Sequence, residues 1–359
     1  PLKTGSFFHE AMREFVREVS VCEQEVARME QEDVLEIMDQ VVGKLVPRIQ
    51  DRLFLSSFRY QYVSNSLGAL LRSSARVFLE HARRGDFRPL AVEVPFGLPG
   101  GVTPYSVRVP GHGEVLLRGR IDRVDFARLG SRAYLRVVDY KSSRSKLDLS
   151  EVYYGLSLQL LVYLGVAVSK WDELVEWSAL FPAHMDQLED PARVVPYPAG
   201  AVYLPIHDPF LKEHGPLDRE EAWLKRKKKN LKMAGLLLED MDVLKLMDTA
   251  ASGYSDILPV HFTKAGGVGS NSSTVAETDL ELLLDYVEHK VGQISADIIS
   301  GRIDIMPFRR NQQIACTYCE FSPLCTFDVL VDGNEYNTLS NLSRAQIWEE
   351  IRSICRGGE

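Results

Sequence analysis

Apolar residues near the start of the chain recur at the spacing of a helix. Four of them follow one another at intervals of four, three and four residues: Phe8, Met12, Phe15 and Val19. This stripe predicts an amphipathic helix over residues 5–30. Further helical patterns are predicted over residues 32–53, 60–83, 150–169 and 277–300.

The middle of the chain alternates apolar and polar positions, which is typical of β-strands. Residues 90–96 and 133–140 alternate in this way. A polar turn containing glycine, at 128–132, joins the second of these runs to a strand that starts near Arg118, and this predicts a hairpin. Shorter strands are predicted at 174–181 and 200–206, and a flexible linker is predicted at 266–273. Helices, strands, a helix and a strand in this order predict an α/β fold.

Two carboxylates and a lysine are expected to meet at one end of the hairpin. Asp139 and Lys141 are two residues apart on a strand, so their side chains share a face. The hairpin brings Asp122 within reach of them, whereas Asp125, three residues further on, should point to the opposite face. Close carboxylates repel unless a hard cation such as Mg²⁺ lies between them, and a lysine there can orient an attacking water. The alternative is a surface ion pair, which is the commoner meaning of an isolated Asp-x-Lys.

Four other residues are weaker candidates for the same site. His9 lies beside the apolar stripe of the first helix, where a histidine is more often packed than a ligand. Gln159 and Tyr163 are four apart and share a helix face, and simple packing is the alternative. Glu93 lies between valines, so it either faces a polar site or belongs to the outer face of an edge strand.

Composition restricts the classes of function. The chain has 359 residues, 45% of them hydrophobic, which is room for one large domain or two modest ones. Its net charge of −8 argues against coating nucleic acid through bulk electrostatics, so any DNA contact is local. The weak candidates for such contacts are basic residues after Lys141 and in the KRKKK run: Arg144, Lys146, Lys225, Arg226 and Lys227.

No stretch approaches the roughly 20 apolar residues of a membrane span, and the start lacks the plan of a signal peptide. We therefore expect a cytoplasmic protein with no membrane partner. The first residue is Pro rather than Met, which suggests a fragment of a longer polypeptide.

Three of the five cysteines form a group near the end, with the spacing Cys316-x₂-Cys319-x₅-Cys325. Two thiolates at C-x₂-C spacing can bind one metal centre, and a third five residues on completes most of a tetrahedral set. Spacing alone leaves zinc and an iron–sulfur cluster open. Buried structural cysteines are the alternative.

Several motifs together resemble a known nuclease family. The motifs are GSFFHE at 5–10, GRIDRVD at 119–125, VVDYKSS at 137–143 and QLLVY at 159–163. They resemble the RecB-type branch of the PD-(D/E)xK superfamily. Over residues 5–336 the chain is similar to the C-terminal nuclease region of AddB subunits of bacterial AddAB helicase–nucleases, including PAGAVYLPIHDP at 198–209 and LKMAGLLLED at 231–240.

The resemblance implies a PD-(D/E)xK, restriction-endonuclease-like α/β core, a mixed sheet flanked by helices, with added helices and a cysteine segment. It implies Mg²⁺ held by His9, Asp122, Asp139 and the Tyr140 carbonyl. The catalytic residues would be Asp122, Asp139, Lys141, Gln159 and Tyr163, and the family motif favours Asp122 over Asp125. The expected organisation is a nuclease core at 1–181, an insertion at 182–274 and a C-terminal segment at 275–359.

The implied function is a Mg²⁺-dependent exonuclease that acts on the 5′-ended DNA strand, with the AddA helicase–nuclease subunit as partner, in double-strand-break repair by recombination. The implied cofactor is a 4Fe–4S cluster on Cys316, Cys319 and Cys325, with a fourth cysteine upstream of His9 that this sequence lacks. No G-x-x-x-x-G-K-[ST] motif occurs, so the chain is not expected to hydrolyse ATP. The alternatives are a non-catalytic DNA-binding scaffold of the same complex and a zinc-stapled structural domain.

Overall fold

The computed structural model describes residues 2–22, 25–49, 58–141, 145–178, 194–206, 231–250 and 252–356. These residues divide into two compact units. Unit 1 comprises Pro1–Tyr105, Leu117–Leu147 and Gln159–Glu281, and unit 2 comprises Ser106–Leu116, Asp148–Leu158 and Leu282–Glu359. None of the described helices is long and apolar enough to cross a membrane.

The helices in chain order are α1 (Leu2–Ser20), α2 (Gln31–Ile49), α3 (Phe58–Arg84), α4 (Leu149–Tyr153), α5 (Gln159–Ser169), α6 (Trp171–Ser178), α7 (Met241–Met247), α8 (Glu277–Ile299), α9 (Ser322–Cys325) and α10 (Arg344–Arg356). The strands are β1 (Arg88–Phe96), β2 (Tyr105–Val109), β3 (Gly113–Leu117), β4 (Gly119–Leu129), β5 (Arg132–Lys141), β6 (Val195–Pro205), β7 (Ala234–Leu238), β8 (Gly253–Tyr254), β9 (His261–Phe262), β10 (Thr274–Val275), β11 (Phe308–Arg310), β12 (Gln313–Ile314) and β13 (Asn337–Thr338).

Unit 1 is built on a mixed six-stranded sheet with the order β1-β4-β5-β6-β7-β10. The pairs β5/β6 and β7/β10 are parallel, and the other three pairs are antiparallel. The hairpin predicted from the sequence is β4–β5, with its turn between Leu129 and Arg132. The expected α/β fold, a central mixed sheet flanked by helices, is confirmed.

Both faces of the central strands are covered by helices. On one face Phe126 of β4 packs edge to face with Trp171 of α6, at 6.5 Å between ring centroids. On the other, the guanidinium of Arg123 lies 5.5 Å from the ring of Phe78 in α3. This cover explains why β4 and β5 are buried along most of their length rather than alternating between core and solvent.

The predicted stripe of α1 is buried: Phe8, Met12, Phe15 and Val19 all belong to the core. The helix ends at Ser20, earlier than expected, and a short 3₁₀ turn follows at Val26–Arg28. The stripe fixes α1 against the sheet, because Phe8 contacts the ring of Tyr140 at 5.7 Å between centroids. His9, the next residue, is thereby held at the end of the sheet.

Three further local predictions differ from the structure. The strand predicted at 174–181 is wrong over its described part, which belongs to helix α6; Trp171, Leu174 and Val175 are buried at helical spacing. The helix predicted at 150–169 is two helices, α4 and α5, because the chain turns at Gly155, where φ is +77°. The expected linker at 266–273 is a hydrogen-bonded loop.

Unit 2 contains α4, α10, most of α8 and a small sheet with the order β12-β11-β13. In its core the Tyr286 hydroxyl donates to the carbonyl of Tyr153 at 2.7 Å, and the two rings stack with an interplanar angle of 9°. Helix α10 buries Ile347, Trp348 and Ile351. The sequence-based boundaries at 181 and 274 stay a prediction.

Candidate active site

Three carboxylates from adjacent strands lie in one row across the sheet. Glu93 of β1 lies opposite Asp122 of β4, as the pairing of its two neighbours shows. Asp122 in turn is one position beyond the last residues that pair β4 with β5, which places it opposite Asp139. Asp139 pairs with Tyr203 of β6. The fold therefore gathers three acidic side chains that are far apart in the sequence.

His9 of α1 joins this row at Glu93 and Asp122. Its Nδ1 atom lies 2.8 Å from Oε1 of Glu93 and 3.5 Å from Oδ1 of Asp122. One potential metal-ligand atom from each of His9, Glu93 and Asp122 lies within 4.8 Å of the other two. Among the described residues this is the one group of three or more histidine, cysteine, aspartate or glutamate side chains that lie this close together. The Glu93 and Asp122 side chains are mostly buried, at 6% and 12% exposed. The His9 side chain is 29% exposed, so solvent reaches the group through His9.

Burial and neighbouring charges shift the pKa values of this group. Burial raises the pKa of Asp122 to about 7, and the nearby Asp139 and Glu93 add to the rise, although His9 and the Tyr140 N–H oppose it. The pKa of His9 is also raised, chiefly by its hydrogen bond to Glu93, which outweighs the effect of burial. Crowded carboxylate oxygens with an imidazole are a donor set that fits a hard divalent cation such as Mg²⁺ or Mn²⁺.

Lys141 and Asp139 form an ion pair beside the histidine group. The Lys141 Nζ atom lies 2.8 Å from Oδ2 of Asp139 and 5.5 Å from the centre of the Tyr203 ring. The carboxylate of Asp139 is not one of the three groups within 4.8 Å, but it is close enough to act on the pKa values of both His9 and Asp122. The main chain of Tyr140 contacts Asp122 by donating its N–H to Oδ2 at 2.8 Å.

Glu93 has an unusual backbone conformation for a residue in a strand. Its φ is +48°, a left-handed backbone conformation that residues other than glycine rarely adopt. Such a conformation costs about 1–3 kcal/mol. Both of its carboxylate oxygens have partners: Oε1 faces His9, and Oε2 lies 3.7 Å from Nη1 of Arg120. The strained backbone therefore directs Glu93, a weak candidate from sequence, toward His9 and Asp122.

Asp125 occupies a different environment from Asp122. It is 1% exposed and lies 2.8 Å from Nε of Arg123 and 2.8 Å from Nη2 of Arg136. Burial alone would raise its pKa, but the two guanidinium groups lower it below the usual value. Asp125 thus belongs to a buried charge cluster on the face of the sheet opposite Asp122.

Gln159 and Tyr163, at the start of α5, contact each other. The Gln159 amide donates to the Tyr163 hydroxyl at 2.8 Å. The Tyr163 ring packs edge to face on Phe96 of β1, at 5.9 Å between centroids. Burial raises the pKa of Tyr163, and Asp122 and Asp139 add to the rise, which places its hydroxyl near the acidic row.

The remaining candidates lie elsewhere or outside the described residues. Cys316 and Cys325 are half-buried and Cys319 is exposed, all three with free thiols, in unit 2. Lys146 is an exposed residue of unit 1. The four other basic candidates lie outside the described residues: Arg144, Lys225, Arg226 and Lys227.

The chain is similar to known proteins over most of its length. The family model described as "PD-(D/E)XK nuclease superfamily" matches residues 1–326. The chain is 38% identical over 342 residues to a protein of Moorella thermoacetica, covering 95% of this chain and 28% of that one, and 35% identical over 348 residues to one of Desulforamulus reducens, covering 97% and 29%. A Bacillus mycoides protein is 34% identical over 358 residues, covering 99% and 29%.

All three relatives are named as subunits of an ATP-dependent helicase/deoxyribonuclease. The chain spans less than a third of their length. The family match, by contrast, covers most of this chain, including His9, Asp122, Asp139 and Lys141. The chain belongs to the PD-(D/E)XK nuclease superfamily.

Proposed function

We propose that this chain hydrolyses DNA phosphodiester bonds and that Mg²⁺ is required. The observation that carries the proposal is the meeting of His9, Glu93 and Asp122 beside the Asp139–Lys141 pair. Carboxylates with a perturbed pKa and an imidazole in one cleft, next to a carboxylate–lysine pair, are typical of a functional site rather than of a structural ion pair. Membership of a nuclease superfamily supports the same reaction.

His9, Glu93 and Asp122 would hold the Mg²⁺ ion, and Asp139 and the Tyr140 carbonyl are further candidate ligands. The ion, when bound, supplies positive charge that polarises a phosphate oxygen. Lys141 is the group that would orient the attacking water and offset charge that develops on the phosphate. Asp139 holds the lysine ammonium in place through their 2.8 Å contact.

Gln159 and Tyr163 would contact the DNA strand at the edge of the site. Their mutual hydrogen bond leaves the second amide hydrogen of Gln159 and the hydroxyl hydrogen of Tyr163 as possible donors to phosphate oxygens. Both residues begin a well-packed helix, so their positions are set by the fold. We propose that they steady the strand while Lys141 acts.

The name of the relatives supports a DNA substrate and a helicase partner. Their name combines a helicase with a deoxyribonuclease. We propose that this chain is the nuclease part of such an assembly, an exonuclease on the 5′-ended strand with the AddA subunit as partner, in double-strand-break repair by recombination. Lys146 and the basic residues outside the described part are candidates for further DNA contacts.

We also propose that Cys316, Cys319 and Cys325 supply three of the four ligands of a 4Fe–4S cluster in the full-length protein, because this sequence has no cysteine before His9 to serve as the fourth. The spacing of the three free thiols supports ligation. Elemental analysis and acid-labile sulfide measured on the full-length protein, purified without oxygen, test this: iron and sulfide in equal amounts are expected. Zinc in stoichiometric amount would contradict the proposal.

The nuclease proposal is tested with end-labelled single-stranded DNA. Wild type is compared with Asp139→Asn and with Asp172→Asn, an exposed carboxylate at the start of α6 that serves as the control. Cleavage is expected in Mg²⁺ and not in EDTA, with a loss of at least about 100-fold in Asp139→Asn alone. Cleavage that survives in EDTA or in Asp139→Asn would contradict the proposal, and DNA binding without cleavage by wild type would favour the scaffold function instead.

A further inference from the structure

One cationic side chain stands at the mouth of the acidic cleft and has no role in the proposal above. Arg120 lies two residues before Asp122 on β4, so the two side chains project from the same face of the strand. It is 55% exposed, and its Nη1 atom lies 3.7 Å from Oε2 of Glu93. The cleft beside it is lined by Gly5, Ser6, His9, Glu10, Glu93, Arg120 and Asp122.

The charge of this lining creates a problem for a DNA substrate. Glu10, Glu93 and Asp122 are carboxylic acids, and Arg120 is the one lysine or arginine among the described residues of the lining. The whole chain is acidic too, at −8. A phosphate that enters the cleft is therefore repelled unless a positive group meets it locally.

The contact between Arg120 and Glu93 is weak enough to be exchanged. A separation of 3.7 Å is longer than a hydrogen bond, and no hydrogen bond between these two side chains accompanies the ion pair. The Arg120 side chain is 55% exposed, so solvent and salt screen its side of the pair. A guanidinium binds phosphate through two parallel N–H donors, which is a stronger and more directional contact.

The surroundings of Arg120 also leave space for a ligand. At Gly5, which lies on the opposite side of the cleft in α1, a Cβ atom would meet nothing within 4 Å. Glu10, the other acid of that wall, is already engaged by Arg13 at 2.5 Å. At the α1 wall the cleft therefore has open space, and the charge of Glu10 there is offset by Arg13.

We infer that Arg120 is a phosphate-binding residue of the substrate strand: its guanidinium leaves Glu93 and binds non-bridging oxygens of a phosphate next to the His9–Glu93–Asp122 group. The inference rests on the proposed function for the identity of the strand as DNA. In the free protein Arg120 contacts Glu93. When DNA binds, one phosphate replaces Glu93 as the partner of Arg120.

The test measures binding rather than cleavage. A fluorescently labelled single-stranded oligonucleotide is titrated with protein in Mg²⁺ at several salt concentrations, in an Asp139→Asn background that prevents turnover. Arg120→Ala is expected to weaken binding about tenfold. It should also reduce the slope of log affinity against log salt by about 0.7, the value of one phosphate contact on a single strand.

Two further variants separate charge from structure. Arg120→Lys keeps the charge, so it should keep the slope and lose only part of the affinity. Arg128→Ala, an exposed arginine at the far end of the same strand, should change neither quantity. Circular dichroism of each variant checks that the sheet is intact.

The possible results are distinct. An unchanged slope and affinity in Arg120→Ala, or an equal loss in Arg128→Ala, overturns the inference. Absence of DNA binding by every variant overturns it together with the proposed function. Binding that depends on Arg120 in a protein that never cleaves DNA overturns only the nuclease proposal and leaves the phosphate contact standing.

Discussion

Asp122 and Asp125 are three residues apart on one strand, and replacing each by asparagine should have opposite consequences. Asp125 is buried between Arg123 and Arg136, with both contacts at 2.8 Å. Asp125→Asn keeps the shape of the side chain but leaves two buried guanidinium groups without their carboxylate. Breaking a buried ion pair from one side costs about 3–5 kcal/mol. This is a large part of the roughly 5–15 kcal/mol that stabilises a typical domain.

Asp122→Asn should leave the fold intact and abolish cleavage. Asp122 accepts one main-chain hydrogen bond, from Tyr140 at 2.8 Å, which the asparagine oxygen can also accept. Burial, and to a lesser degree the nearby Asp139 and Glu93, raise the pKa of Asp122 and so disfavour its charged form, which the asparagine removes. We therefore expect a loss of stability below about 1 kcal/mol.

The assay is urea unfolding at pH 7 in EDTA, followed by circular dichroism, with wild type and both variants. The control is Asp256→Asn, because Asp256 is 51% exposed and lies 3.7 Å from Arg84. It should change the free energy of unfolding by less than about 1 kcal/mol. If Asp125→Asn is no less stable than the control, or if Asp122→Asn loses as much stability as Asp125→Asn, the division of the two residues between site and core is refuted.

Two other predictions concern stability. The Nε2 atom of buried His81 lies 2.7 Å from the Leu231 carbonyl, and burial lowers the pKa of His81 to about 3. Below about pH 6.5 the unfolded chain binds a proton at His81 that the folded chain does not bind. The free energy of unfolding of wild type should therefore fall by about 2 kcal/mol more than that of His81→Gln between pH 7 and pH 5. Equal falls, measured by urea unfolding, would contradict this. Gly200→Ala should destabilise by at least about 2 kcal/mol, since its Cβ would lie 2.5 Å from the Leu236 carbonyl oxygen at a φ of +148°. In helix α2 a Cβ atom at Gly43 would meet nothing within 4 Å, so Gly43→Ala should raise the free energy of unfolding by about 1 kcal/mol. If thermal unfolding shows Gly200→Ala to be more stable than Gly43→Ala, the packing argument is refuted.

The sequence predicts those parts of the site that depend on local periodicity. Asp139 and Lys141 share a face because a strand alternates, and the same rule separates Asp122 from Asp125. Gln159 and Tyr163 meet because residues four apart in a helix are neighbours. In each case the two side chains belong to one element, so no tertiary information is needed.

Glu93 and Arg120 could not be assigned in this way. The direction of Glu93 depends on a left-handed backbone conformation that its sequence does not indicate, and its partner His9 is 84 residues away. Arg120 is a candidate only because α1 forms the other wall of a cleft, which is a tertiary arrangement. The prediction of a strand where α6 lies is wrong because short apolar runs occur in both buried strands and buried helices.

The most direct test of the account is to count the divalent ions bound near His9, Glu93 and Asp122. Mn²⁺ binding to the chain is measured by electron paramagnetic resonance, with wild type, Asp122→Asn and the control Asp256→Asn titrated side by side. The account predicts a site that wild type and the control share, that Mg²⁺ displaces, and that Asp122→Asn binds at least about tenfold more weakly. Equal Mn²⁺ affinity in all three proteins would contradict the claim that this group is the metal centre of a nuclease.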